Sequence, residues 1–296
     1  MPRTSEARSA LSAFGFGVPT LEPGRKSDPG LFGPDSMVWR IGRERVLLAG
    51  GPAALLLQIA HPLVAAGVAA HSDFRRDPLR RLRGTLDATL RISFGDADQV
   101  AAAASAVATT HRRVHGRLES SAGRFAAGTV YDATDPELAL WVHATLSWMA
   151  LDTYDLLVRH LRAAERAAYY EEAKAFAGLF GVADDALPST YAGFRSYLQA
   201  MLGGGAIAVG EQARSLARDI LRPPLPVPFT PVARAVNAVT AGLLPAGIRA
   251  GFGLRWGSAE RNTVRAVASL SRVGVRALPP RIRYWPHYHA AVRRMR

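Results

Sequence analysis

Residues 135–162 read DPELALWVHATLSWMALDTYDLLVRHLR, and this stretch has the features of a long helix. Asp135 can cap its amino end through the side-chain carboxylate, and Pro136 suits the first helical turn, where its missing N–H is not needed. Thr134 and Glu137 have the spacing of a capping box. We therefore predict a helix that begins at the proline and runs to about the end of the stretch.

Proline and glycine divide the remaining chain into further helical segments. Asp77-Pro78 repeats the Asp-Pro start and predicts a helix that stops at Gly95. Pro52 and Pro62 break the apolar stretch 46–70, which favours a buried pair of helices over one membrane span. Other helices are expected at 38–48, 96–120, 163–181, 189–202, 206–221 and within 231–276. Because alternating strand patterns are scarce, the sequence predicts an all-α fold.

The distribution of proline, glycine and serine also suggests the domain organisation. Residues 1–30 are expected to form an N-terminal arm, and residues 31–296 a single multi-helix domain. The segment 223–231, PPLPVPFTP, is interpreted as an extended, semi-rigid linker that runs over the surface of this domain. The N-terminal residues lack a sustained apolar core of the signal-peptide type, so we expect a cytoplasmic protein.

The composition excludes several classes of functional site. The chain has 296 residues and no Cys, which rules out disulfides, zinc fingers, iron–sulfur clusters and thiolate-ligated haem. The formal net charge is +13, and the basic residues are almost all Arg, with Lys26 and Lys174 as the lysines. Because an Arg-for-Lys bias in an Ala-rich chain often reflects genome composition, we do not take the charge as evidence for nucleic-acid binding.

Two histidines in the predicted helix 96–120 are candidates for holding a metal. His111 and His115 are four residues apart, so they are expected to share one helix face, and either could reach a metal. Gly116 is unusual inside a helix, where Gly costs about 1 kcal/mol relative to Ala. It leaves room beside His115 for a flat ligand or for close helix packing, and the residues alone leave both readings open.

Other polar residues could support an anion or a reactive centre. Arg81 and Thr85 are also four residues apart, within a cluster of arginines that suits either anion binding or a solvated basic face. His61 lies in the apolar stretch, where a buried imidazole needs a partner, and His71 begins a turn-like His-Ser-Asp sequence.

The C-terminal region is strongly basic. From Arg249 to the end there are eleven Arg and one acid, Glu260, with Trp256, Tyr284, Trp285 and Tyr288 among them. This composition is typical of a solvated Arg-rich face, and it also suits peripheral contact with an anionic membrane.

Several of these segments together resemble the MpaB-type oxygenase family, which includes the latex clearing proteins, a group of bacterial rubber oxygenases. The resemblance covers roughly residues 37–256. It rests on these motifs: QIAHPLVA at 58–65, HSDF at 71–74, DP at 77–78, RL at 81–82, FG at 94–95, VHG at 114–116, DP at 135–136, LWVHATL at 140–146 and PST at 188–190.

The resemblance implies an all-α fold that binds one b-type haem without covalent attachment. Latex clearing proteins carry an Arg with a Thr four residues on and a proximal haem His some thirty residues later, which matches Arg81, Thr85 and His115. By this resemblance His115 is the iron ligand, and Gly116 makes room for the porphyrin. This sequence departs from the latex clearing proteins at two points. Gly84 stands where they have a Lys, and the stretch 46–70 contains no acidic residue.

The sequence thus predicts a haem-dependent oxygenase, dioxygenase or peroxidase-like, that acts with O2 on an apolar, unsaturated substrate of the isoprenoid or lipid type. The residues expected to act in catalysis are Arg81, Thr85, His61 and His71, and those expected to contact haem are His115, Arg81, Arg112, Gly116 and His143. Two alternatives stay open: a non-catalytic haem-binding or redox protein, and a peripheral membrane protein that uses its basic C-terminus. No nucleic-acid partner is expected.

Overall fold

The computed structural model describes residues 21–71, 78–222 and 227–296, with the backbone alone for 78–82 and 227. Helices dominate these ranges, and one small antiparallel sheet accompanies them, which confirms the all-α prediction. The helices are α1 (Met37–Gly42), α2 (Gly51–Ile59), α3 (Pro62–His71), α4 (Pro78–Phe94), α5 (Ala97–His111), α6 (Pro136–Leu157), α7 (Ala163–Gly178), α8 (Tyr191–Gly203), α9 (Glu211–Leu221), α10 (Thr230–Leu243), α11 (Ala246–Gly251), α12 (Ser258–Ala277), α13 (Pro280–Arg283) and α14 (Pro286–Arg294). The strands are β1 (His115–Arg117) and β2 (Val130–Asp132).

Helix α6 is the central element of the fold. Its first half contributes Trp141 and Ala144 to a core cluster with α2, α8 and α9. Its second half contributes Leu151 and Tyr154 to another cluster with α1, α4, α7 and the C-terminal segment. Helix α6 therefore connects the two clusters.

The amino ends of the helices follow the sequence signals. The Asp135 carboxylate accepts a hydrogen bond of 2.8 Å from the Glu137 N–H and caps α6, so the cap is the aspartate alone and not the predicted capping box with Thr134. Asp96 caps α5 and, with Gln99, forms a capping box. The predicted interruption of the apolar stretch is confirmed, since α2 and α3 are separate helices.

Several predicted boundaries are wrong. Helix α6 ends at Leu157, and the Arg159 guanidinium beyond it binds both Glu165 carboxylate oxygens, at 2.9 and 2.7 Å. The helix expected at 38–48 is divided into α1 and a 3-10 helix, Arg45–Gly50, because Glu44 between them is extended and bound to the C-terminal segment.

The arm and the linker can be compared with the structure only in part. Residues 1–20 and 223–226 lie outside the described residues. Residues 21–30 form neither helix nor strand, and the Ser27 N–H donates to the Arg294 carbonyl of α14. The predicted linker is too long, because a 3-10 helix, Val227–Phe229, and then α10 begin within it; Pro231 fits the first turn of α10. The assignment of residues 31–296 to one domain stays a prediction.

No single helix in the described ranges is both long and apolar enough to cross a membrane. One pair, Arg45–Ile59 with Pro62–His71, meets the length and composition requirement but is bent by 107° between its two parts.

Candidate active site

A cavity of about 200 Å³ lies between the two core clusters. Its wall is formed by residues of α1, the 3-10 helix, α2, α4, α6 and α7, together with Phe32 and Trp285. Most of the lining is aliphatic or aromatic, and the described lining residues include no charged side chain. The polar groups on the wall are Thr85, Thr89, Ser93, His143, Ser147 and Tyr169.

His143 is the one imidazole on the described wall of this cavity. It lies on α6, is 6% exposed and stacks on the Phe176 ring, with 6.0 Å between ring centroids. The Ser147 hydroxyl, one turn further along α6, lies 3.4 Å from His143 Nε2. Burial lowers the pKa of His143 to about 4, so the ring is neutral near pH 7. Neutral imidazole is the form that binds metals.

Thr85 is the second predicted site residue that lines the cavity. It lies on α4 and is partly buried, and its carbonyl accepts a hydrogen bond of 2.8 Å from the Thr89 hydroxyl. Arg81 lies one turn before Thr85 on α4, and its side chain is outside the described part of the chain. The structure therefore brings Thr85 and His143 together at one cavity, from two helices that are separate in sequence.

His115 is not part of a helix, so the prediction that one helix carries both His111 and His115 is wrong. Helix α5 ends at His111, and His115 begins β1, where it is exposed and pairs with Asp132 of β2. The strand pairing buries Leu118 and Tyr131 against α3 and so favours this arrangement over a longer helix. His115 is not among the residues that line the cavity.

Gly116 provides space for a tyrosine. It pairs with Tyr131 across the two strands, and a Cβ added at Gly116 would lie 2.6 Å from the Tyr131 hydroxyl oxygen. The close approach that the sequence suggested is therefore explained by packing within the sheet.

We expect Gly116→Ala to lower the free energy of unfolding of the haem-free protein by about 1–3 kcal/mol, the usual cost of overpacking. Urea denaturation measures this change. The matched control is Gly84→Ala on α4, where an added Cβ meets nothing within 4 Å. That variant is expected to be neutral or slightly stabilising, since Ala favours helix over Gly. If Gly116→Ala unfolds at the wild-type midpoint, contact with Tyr131 is not what requires the glycine.

His71 and His115 lie together at the surface, away from the cavity lining. The His71 ring nitrogen Nε2 is 2.9 Å from the His115 carbonyl oxygen, and the two ring centroids are 6.4 Å apart. Both side chains are exposed. Among the described residues no group of three or more His, Asp or Glu is arranged to hold a metal ion.

The remaining predicted residues are also separate from the cavity lining. His61 is buried between α2 and α3 beside Phe125, and its Nδ1 has no hydrogen-bond partner. Burial, and then the nearby Arg124 charge, lower the pKa of His61 to about 4. The exposed Arg112 donates to the Thr109 hydroxyl at 2.9 Å.

His111 is connected to the cavity wall through aromatic rings. Its ring centroid lies 6.3 Å from that of Phe180, and Phe180 lies 5.4 Å from Phe176, on which His143 stacks.

The sequence reasoning missed several residues of the cavity wall. Ser147 could have been found, because it follows His143 by four positions on a predicted helix. Trp285 could not, because it reaches the wall from the far C-terminus and no local pattern connects it with α4 or α6. The aromatic residues of the basic C-terminal region are largely used within the fold: Trp285 is 2% exposed, and the Arg43 guanidinium lies 4.5 Å from the Tyr284 ring centroid.

Comparison with known proteins places this chain in a family. Residues 38–273 match the family model described as ER-bound oxygenase mpaB/B'/Rubber oxygenase, catalytic domain. Two mycobacterial proteins, Mb2261 of Mycobacterium bovis and Rv2237 of Mycobacterium tuberculosis, both described as uncharacterized, are each 29% identical over 238 residues, which is 78% of this chain and 89% of theirs. No solved structure matches the chain significantly. Because the family model spans most of the sequence, the chain belongs to the mpaB/rubber oxygenase catalytic-domain family.

Proposed function

We propose that this protein is a haem-dependent oxygenase whose active site is the cavity beside His143. One observation carries the proposal: a buried imidazole lies on the wall of a mostly apolar cavity whose described lining has no charged side chain and also includes Thr85. A protein-bound haem needs an axial donor and an apolar enclosure. With no Cys in the chain, histidine is the natural donor, and the oxygenase family supports redox chemistry with O2.

The donor chemistry of the cavity fits a b-type haem. The His143 ring is neutral near pH 7, so one nitrogen is free to bind iron without first losing a proton. The Ser147 hydroxyl near Nε2 would have to turn away when that nitrogen binds. The cavity volume of about 200 Å³ is below the ~300–1,000 Å³ of ordinary ligand sites. We therefore expect the cavity walls to move apart when haem binds.

When bound, the haem supplies the activation of O2, and the chain supplies the surroundings. The aliphatic wall, with Leu47, Leu86 and Met149 among its members, binds an apolar chain and excludes water. The hydroxyls of Thr85 and Ser93 can orient a polar group of the substrate by hydrogen bonding. The substrate we propose is therefore an unsaturated chain of the isoprenoid or lipid type. Arg81, one turn before Thr85 on α4, remains the proposed partner of a haem propionate. The sequence also predicts Arg112 as a propionate partner, the family resemblance implies His115 as the iron ligand, and neither residue lines this cavity.

The haem-loaded protein is expected to consume O2 with a long polyunsaturated hydrocarbon chain but not with the saturated chain of equal length. O2 uptake and mass spectrometry of the products measure this difference. Ala150→Phe fills part of the cavity and is expected to lower the uptake at least about tenfold.

Val232→Phe is the matched control, because Val232 is 42% exposed on α10 and does not line the cavity. It is expected to leave uptake unchanged. Haem-loaded protein that neither consumes O2 with any unsaturated chain nor binds CO would instead indicate a non-catalytic haem protein.

A further inference from the structure

Helix α12 exposes an apolar face that no part of the described chain covers. Leu270 is 74% exposed and Val273 is 73% exposed. Ala266, Leu270, Val273 and Ala277 recur at i, i+4, i+7 and i+11, and all four are exposed, so their side chains form one line along the helix. Such contiguous apolar surface, unlike a single exposed Leu, marks an interaction site.

The exposed face continues beyond the end of α12. Leu278 is 41% exposed and Ile282, on α13, is 52% exposed, with the exposed residues Pro279 and Pro280 between them. We call the side chains on this surface the apolar strip: Ala266, Leu270, Val273, Ala277, Leu278 and Ile282.

The opposite side of α12 is anchored in the fold, so the strip is held facing outward. Ala268 and Val275 are buried. The Ser271 hydroxyl donates to the Leu157 carbonyl at 2.8 Å, and the Arg272 guanidinium donates to the Leu156 and Asp155 carbonyls at 3.0 Å each. These bonds attach the side of α12 opposite the strip to the end of α6.

The charges beside the strip are positive. Arg265 and Arg276 are exposed on α12 to one side of it, and the exposed Arg281 lies next to Ile282 on α13. The one acid in residues 249–296 is Glu260, in the first turn of α12 and far from the carboxyl end of the strip. An apolar face bordered by arginines is the pattern of helices that lie in the surface of an anionic bilayer.

We propose that the apolar strip docks on the surface of a membrane that contains anionic lipids. Leu270, Val273 and Ile282 would enter the boundary between headgroups and acyl chains, with the neighbouring arginines on lipid phosphates. A second copy of this chain fits less well, because pairing through the strip would bring arginines of like charge together. The proposal does not depend on the oxygenase function. Trp285, three positions after Ile282, lines the cavity, so docking would bring the cavity close to a source of apolar chains.

Co-sedimentation of the full-length protein with phosphatidylcholine vesicles, with and without roughly 30% phosphatidylserine, tests the proposal. Wild type is expected to bind the anionic vesicles, and less so at higher salt, since exposed charges are screened over about 10 Å at 0.1 M. Leu270→Gln/Val273→Gln leaves the net charge unchanged and is expected to weaken binding at least about tenfold, because two apolar side chains no longer enter the lipid. Arg276→Gln/Arg281→Gln removes two positive charges. It is expected to weaken binding to the anionic vesicles by about fivefold for each charge removed.

Val130→Gln is the matched control, because Val130 is 58% exposed on β2, outside the strip, and its replacement should not change binding. Wild type that ignores anionic vesicles, or a Leu270→Gln/Val273→Gln variant that binds them as wild type does, would overturn the proposal. A second result would also overturn it: analytical ultracentrifugation shows that the wild type is a dimer without vesicles and that Leu270→Gln/Val273→Gln is a monomer. The strip would then be an interface between two copies of the chain.

Discussion

Replacing His143 by alanine is expected to reduce the haem content of the purified protein at least about tenfold. Among the described residues His143 is the imidazole that lines the cavity, and its removal takes away the proposed axial donor while leaving the apolar walls in place. Haem per chain, from the pyridine haemochrome spectrum, measures the loss. Added imidazole is expected to restore part of the bound haem by occupying the vacated space, and a circular dichroism spectrum checks that the variant has folded.

His115→Ala is the decisive comparison. His115 is exposed on β1, and on the proposal argued from the cavity its replacement keeps the haem and its spectrum. His111→Ala is expected to keep the haem with small spectral changes, because His111 does not line the cavity and is connected to its wall through Phe180 and Phe176. If His115→Ala loses the haem and His143→Ala keeps a normal haem content, the iron ligand is His115, as the family resemblance implies, and not His143.

Replacing Arg283 by leucine is expected to lower the free energy of unfolding by about 3–5 kcal/mol, the usual cost of leaving a buried charge unpaired. The Glu44 side chain is 1% exposed, and the Arg283 guanidinium donates to its two carboxylate oxygens at 2.6–3.1 Å. This pair joins the segment between α1 and the 3-10 helix to α13. Urea denaturation measures the loss.

The double variant Glu44→Leu/Arg283→Leu separates the two contributions to that loss. It removes both charges, so it is expected to recover much of the stability lost in Arg283→Leu. A double variant as unstable as the single one would mean that the arginine acts through its guanidinium over the Tyr284 ring, 5.0 Å from the ring centroid, and not by neutralising the carboxylate.

The helix starts could be predicted because their signals are local. Asp96 and Asp135 each accept a backbone N–H within the next three residues, so a short sequence contains the whole interaction. The end of α5 could not be predicted in this way. The chain leaves the helix after His111 because β1 pairs with a strand beyond the intervening loop, and the pairing buries Leu118 and Tyr131.

The candidate site was predictable to the extent that its residues lie on well-defined helices. Thr85 and His143 were both expected at the site and both line the cavity, but nothing in their spacing showed that α4 and α6 meet there. His115 could not be placed by spacing, since the helix that begins at Ala97 ends at His111 and does not extend to it. The apolar strip on α12 was missed because its apolar residues recur at spacings of four and three, which is also the pattern of a buried helix face. Only tertiary contacts distinguish an exposed apolar face from a buried one.

The haem content and absorption spectrum of the wild-type protein test the central claim most directly. Protein purified from haem-supplemented cells is expected to carry about one b-type haem per chain, which acid–organic extraction removes, since the chain has no Cys for covalent attachment. Its Soret band is expected to shift when CO is added to the reduced protein, which reports an open position for O2. Colourless protein that also fails to take up added hemin would contradict the account.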